Sequence, residues 1–171
     1  RKIQLEKIVP NCVIEPIRGN VPTRLDKLDR GEFSAITLAY AGLKRLNLQG
    51  RIGRIFETEE MLPSACQGMI AVQARKGFDT AFLAGFNSEI SWDVALAERG
   101  FVRSLNGGCS SPVAAFGEIL NDTLNLTGLY VDENYRMFKK TVTGNRGQAE
   151  KIGCDLASDI HRFIPGSCDR N

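Results

Sequence analysis

Apolar positions along this chain fall into two regimes. In the first, short helical spacings alternate with short apolar runs. Ile3, Leu5 and Ile8 mark the end of a helix over residues 1–9, stopped before Pro10-Asn11. Residues 12–17 read as a short strand. A turn at 18–24 leads into a helix running to about Asp29, with Leu25 and Leu28 on one face, and Arg30-Gly31-Glu32 breaks it. Residues 34–39 are nearly continuously apolar, as in a parallel strand covered on both faces, and 41–46 form a short helix. This order predicts an α/β sheet, a layout whose sites gather at the carboxyl ends of the strands.

Further on, residues 62–66 are extended and 67–75 read as a strand with apolar groups on both faces. Helical spacing covers about 78–86 and 89–105. The longer helix offers Trp92, Ala95, Leu96, Phe101 and Leu105 to a core, with Ser88 or Ser91 as its cap. In the second regime, residues 113–120, 124–131 and 136–143 are three strands joined by the polar turns Asn121-Asp122 and Asp132-Glu133-Asn134, which predicts an antiparallel sheet. A helix over 148–164 carries Ile152, Leu156, Ile160 and Phe163 on one stripe and packs across one sheet face.

Composition narrows the function. The 171 residues are 43% hydrophobic, enough to fill a core. A net charge of +2 without a long basic run argues against nucleic-acid binding. The five cysteines, Cys12, Cys66, Cys109, Cys154 and Cys168, are odd in number and contain no CxxC pair. That pattern disfavours zinc, thioredoxin-like and disulfide-framework readings and suits reduced thiols in the cytoplasm. No segment has the length and apolarity of a membrane span, and no signal peptide is expected. The chain starts at Arg1, within a helical pattern and without methionine, so a portion of a longer protein is expected.

Two stretches carry chemistry. Arg18-Gly19-Asn20-Val21-Pro22-Thr23-Arg24 joins a strand to a helix N-terminus, where free amides, the helix dipole and two flanking arginines favour an anion. Ordinary solvated arginines explain the same residues equally well. Asn106-Gly107-Gly108-Cys109-Ser110-Ser111-Pro112 follows a helix with two glycines, a thiol and a closing proline. Cys109 has three readings: a small buried hydrophobe, a hydrolase nucleophile dependent on His161, the sole histidine, or an attachment point for a bulky group. His161 itself reads as a helix-surface residue, and Trp92 and Phe101 as core anchors. Asp26, Asp29, Asp122 and Asp132 sit in turn or helix-surface contexts.

The segment Glu98-Arg99-Gly100-Phe101-Val102-Arg103-Ser104-Leu105-Asn106-Gly107-Gly108-Cys109-Ser110-Ser111-Pro112-Val113 closely resembles the cofactor loop of the porphobilinogen deaminase (hydroxymethylbilane synthase) family. Ile17-Arg18-Gly19-Asn20-Val21, Thr23-Arg24-Leu25, Lys27-Leu28, Ala35-Ile36, Ala41-Gly42-Leu43-Lys44-Arg45-Leu46, Leu62-Pro63 and Gln67-Gly68 resemble it too, in the family's order.

The resemblance implies a transferase of porphyrin and heme biosynthesis. It joins porphobilinogen units head to tail with loss of ammonia, on a dipyrromethane cofactor held by Cys109 through a thioether. It implies that Arg1, Arg18, Arg24 and Arg51 hold the cofactor's and substrate's carboxylates, with Arg54 an alternative to Arg51. Gly107, Gly108, Gly19 and Asn20 support the loops.

The fold implied is a partial periplasmic-binding-protein-like α/β domain over 1–66 and a crossover at 67–87. A small domain follows over 88–171, with a three-stranded antiparallel sheet and helices on one face. The catalytic aspartate belongs to a first domain with no counterpart here, so no catalytic residue and no metal site is expected in this chain, which alone is expected to be inactive. The crossover is expected to pair with that missing amino-terminal domain or with a second copy of the chain. Two other readings remain, a non-catalytic anion-binding module of periplasmic-binding-protein type and a structural fragment without ligand. An adduct on Cys109 separates the enzyme from both.

Overall fold

In a computed structural model, residues 1–105 and 112–163 are described. The chain divides into two compact units, Arg1–Met61 and Leu62–Asn171.

The first unit holds three short helices: α1 (Lys2–Ile8), α2 (Val21–Asp29) and α3 (Tyr40–Arg45), followed by a 3-10 turn at Gln49–Arg51. Leu25 of α2 and Leu43 of α3 are buried, as is Gln4 of α1. Residues 12–17 and 34–39 form no regular element and enter no ladder among the described residues. The expected strands are therefore absent here. A strand exists only when its amides and carbonyls meet a neighbour, and no described segment supplies one. Val13 is accordingly 88% exposed. The same correction applies to 67–75, where Gln67 and Gly68 lie in a turn and no residue enters a ladder among the described residues.

The second unit is an antiparallel sheet under two helices. Its strands β1 (Val113–Leu120), β2 (Thr123–Val131) and β3 (Met137–Asn145) lie in the order β1-β2-β3. The β1–β2 hairpin closes with Leu120 opposite Thr123, and Asn121 and Asp122 take φ of 47° and 60°. These residue types tolerate the left-handed region that a tight two-residue hairpin demands. In the β2–β3 hairpin, Val131 pairs with Met137. There Asp132 accepts hydrogen bonds from the amides of Asn134 (2.9 Å) and Arg136 (2.8 Å) and from Arg136 Nε (2.6 Å).

Helices α4 (Glu89–Ser104) and α5 (Ala149–Arg162) pack on one face of this sheet. Ser88 caps α4 by accepting from the Ser91 amide at 3.2 Å. The core joins Val94, Ala97, Phe101 and Leu105 of α4, Leu156, Ala157 and Ile160 of α5, and Ala115, Leu124 and Leu126 of the sheet. Three expected core residues lie outside it: Ala95 is half-buried, Trp92 is 61% and Phe163 66% exposed. Trp92 stands about 200° around the helix from Val94, at 100° per residue, so the buried stripe leaves it in solvent. A 3-10 turn at Ala81–Phe86 replaces the helix expected over 78–86.

The segment 62–66, expected to close the first domain, falls within the second unit. Leu62 is buried, and the Pro63 carbonyl accepts from the Ala115 amide at 3.2 Å. No helix is long and apolar enough to cross a membrane among the described residues.

Candidate functional site

The turn before α2 is built by local chemistry. Gly19 takes φ +119°, and a Cβ there would stand 2.9 Å from Thr23 Cβ, so both conformation and space call for glycine. Asn20 caps α2: its Oδ1 accepts from the Thr23 amide (2.9 Å) and hydroxyl (2.8 Å). Pro22, in the first helical turn, has no N–H to leave unsatisfied. The cap consumes the Thr23 amide, and the Arg24 amide bonds Asn20 O at 3.1 Å. The backbone thus offers fewer free donors than the sequence suggests, and side chains must carry any anion recognition here.

Three cations ring this turn. Arg24 Nε donates to the Gly19 carbonyl at 2.7 Å, which aligns the guanidinium beside the turn. Lys27 Nζ donates to the Arg18 carbonyl at 3.5 Å. Arg18 is exposed. None of the three has an acidic partner among the described residues, in contrast to Arg30, Arg51, Arg54, Arg103, Arg136 and Arg146. The turn is therefore a patch of uncompensated positive charge with guanidinium forks suited to carboxylates.

Arg51 is placed differently. It ends the 3-10 turn and is ion-paired with Asp29, the last residue of α2. Its alternative, Arg54, pairs with Glu60 at 2.5 Å and lies over the Phe56 ring at 4.9 Å. Both are thus already neutralised within the unit. Arg1 is exposed at the N-cap of α1. Hydrogen bonds draw Gly19, Asn20 and Arg24 into one turn, with Arg18 joined through its carbonyl. Arg51 is tied instead to Asp29 at the far end of α2. Cys109, Gly107 and Gly108 lie outside the described residues.

Glu98 was not singled out by its sequence context. It is 3% exposed, on the buried stripe of α4. Its Oε2 accepts from the Cys66 amide at 2.5 Å and its Oε1 from the Gly117 amide at 2.8 Å. Burial pushes this carboxyl above its ordinary range, against the two amide bonds. Burial and the neighbouring Glu98 charge likewise push the Cys66 thiol up, opposed by Arg99. The available signal was an acid at the i+4 position from Val94, inside an apolar stripe. Among the described residues no cluster of three or more His, Cys, Asp or Glu has metal-binding geometry.

Residues 1–82 match the family model "Porphobilinogen deaminase, dipyromethane cofactor binding domain", and 92–162 match "Porphobilinogen deaminase, C-terminal domain". Similar curated proteins include the porphobilinogen deaminases of Alkaliphilus oremlandii, 66% identical over 157 residues, and Acetivibrio thermocellus, 61% identical over 160. The matches cover 92% and 94% of this chain and 53% and 55% of those proteins. A third, from Ruminiclostridium josui, is 52% identical over 161 residues. The chain spans about half the length of the curated relatives it matches.

Proposed function

The chain belongs to the porphobilinogen deaminase family, and from that membership we propose that it forms the primer-carrying part of hydroxymethylbilane synthase. The whole enzyme polymerises porphobilinogen head to tail with release of ammonia, in the cytoplasm, for tetrapyrrole biosynthesis. The observation that carries this reading is the uncompensated cluster of Arg18, Arg24 and Lys27 around the capped turn before α2.

Dipyrromethane and porphobilinogen carry carboxylates on every pyrrole ring. A donor set of forked guanidiniums without internal acids fits such ligands. When bound, the cofactor supplies a free pyrrole carbon to which the next ring is joined. The residues of this chain bind and orient it. Cys109 anchors the primer through a thioether, with Gly107 and Gly108 giving it room. Arg18 and Arg24 hold carboxylates, Gly19 and Asn20 keep the turn in shape, and Arg1 adds positive charge. Arg51 contributes only by exchanging Asp29 for a ligand carboxylate. Proton transfer falls to an aspartate on the amino-terminal part of the enzyme. The crossover at 67–87 pairs with that part, and the alternative occupant is a second copy of this chain.

Mass spectrometry of the full-length protein tests the reading. A dipyrromethane adduct on the Cys109 peptide, with a pink Ehrlich reaction lost in Cys109→Ala, is expected. An unmodified Cys109 in protein that still makes hydroxymethylbilane would overturn it. The isolated chain should not turn over porphobilinogen, because an acid–base group contributes about 10²–10⁴-fold in rate.

A further inference from the structure

We propose that Glu98 guards the β1 edge of the sheet: its buried carboxylate takes the outward amide of Gly117, where a strand of a second copy of the chain would otherwise pair. The order β1-β2-β3 leaves β1 and β3 as the edges among the described residues. An open edge invites pairing with another chain unless something blunts it. On β3, Lys139 and Lys140 supply charge for that purpose. β1 is apolar or small along its length apart from Glu118, a composition that recruits further strands.

The register shows which amides β1 turns outward. Leu120 and Thr123 close a two-residue hairpin, so even-numbered residues of β1 exchange hydrogen bonds with β2 and odd-numbered ones face away. Ala115 and Gly117 are the outward residues at the centre of the strand, and both are buried. The Ala115 amide donates to the Pro63 carbonyl at 3.2 Å. The Gly117 amide donates to Glu98 Oε1 at 2.8 Å.

Neither acceptor continues the sheet. A fourth strand here would present a fresh row of amides and carbonyls on its far side. An ionised carboxylate only accepts, so it satisfies the edge without extending it. Its other oxygen accepts from the Cys66 amide at 2.5 Å. Pro63 has no N–H to return to β1, and Cys66, at φ +60°, leaves the extended conformation that a strand needs. Gly117 permits the close approach of α4, since a Cβ there would stand 3.1 Å from Val94 Cγ1. Burying a carboxylate is expensive, and an apolar side chain would fill the stripe of Val94, Ala97 and Phe101 without that penalty. What the carboxylate adds is closure of the edge.

The test is Glu98→Met in the full-length protein. Methionine fills the stripe but is only a weak acceptor, so the Gly117 amide is freed. Sedimentation across a dilution series should show self-association at least about tenfold tighter than in the parent, as expected when an amide left without an acceptor finds one on another chain. Adding Leu120→Lys, on the same strand at a position 69% exposed, should reverse it, because charge on an edge opposes strand addition. Val94→Ala, which loosens the same helix without removing the Gly117 acceptor, should leave association at the parental level.

A folded Glu98→Met protein that associates no more than the parent overturns the proposal. So does association that Val94→Ala matches, or that Leu120→Lys leaves unchanged. If Glu98→Met does not fold, amide exchange in the parent decides. Slow exchange at Gly117, equal at every protein concentration, supports the guard. Fast exchange there, or protection that appears only on concentration, overturns it.

Discussion

Gly153 of α5 lies so close to α4 that a Cβ added to it would stand 2.1 Å from the Ala97 carbonyl oxygen. The contact is reciprocal, because a Cβ on Gly100 of α4 would stand 2.8 Å from the Glu150 carbonyl oxygen. The obstacles are backbone atoms, which cannot rotate away. Overpacking a core typically costs about 1–3 kcal/mol, and Gly153→Ala should reach or exceed the upper end. Urea unfolding of the full-length protein checks this. Gly50→Ala, where nothing lies within 4 Å of the added atom, should change stability by no more than about 0.5 kcal/mol.

Arg18 and Arg24 should separate binding from stability. Arg18 is exposed and without an acidic partner among the described residues. Arg18→Leu should leave the melting temperature of the full-length protein unchanged and lower primer assembly or chain growth about tenfold, as expected for loss of a charge-assisted hydrogen bond. Lysine should restore only part, lacking the planar fork. Arg24→Leu should act similarly and also loosen the turn, since Arg24 holds the Gly19 carbonyl. Normal assembly and elongation in both leucine variants would refute the carboxylate assignment.

Residues 69–75 present apolar side chains without strand partners. Ile70 is 72% and Val72 66% exposed, and Phe78, Phe82 and Phe86 continue the surface beyond. Unpaired apolar edges of this kind drive association. In full-length protein, hydrogen exchange across 69–75 should be slow, and in the isolated chain fast or dependent on concentration. Fast exchange in the full-length protein would show that this segment joins no sheet.

Asp132 should give the fold an acid limit. Burial raises its carboxyl, but the amide and guanidinium of Arg136 and the Asn134 amide outweigh that and hold it below its ordinary value. A depressed folded pKa means that its stabilisation is present above the unfolded value, about 3.9, and is lost as pH falls through the folded value. Below about pH 4 the melting temperature should therefore fall less steeply in Asp132→Asn than in the parent. The variant should also be the less stable of the two at pH 7. Parallel pH profiles would sink this assignment.

The Asn121-Asp122 turn, the Ser88 cap, the helices at Lys2–Ile8, Val21–Asp29 and Glu89–Ser104, and the three-stranded meander were legible in the sequence. Each rests on neighbours within a few residues, so turn chemistry and hydrophobic period suffice. The candidate anion turn was legible for the same reason, since Gly19, Asn20, Thr23 and Arg24 satisfy one another locally. Contacts distant in sequence were not. Whether 12–17, 34–39 and 67–75 become strands depends on partners that apolar patterning cannot name. Trp92 looked like a core anchor, yet the stripe through Val94, Ala97 and Phe101 turns it to solvent. The resemblance implies Arg51 as a carboxylate ligand, and its ion pair with Asp29, 22 residues away, is not visible in local pattern. The role of Glu98 shows only when α4 meets β1 and the Cys66 turn, 32 residues earlier, around its carboxylate. Local pattern determined the elements, and tertiary packing decided which charges stayed free, because burial and pairing are properties of residues that meet only after the chain has folded.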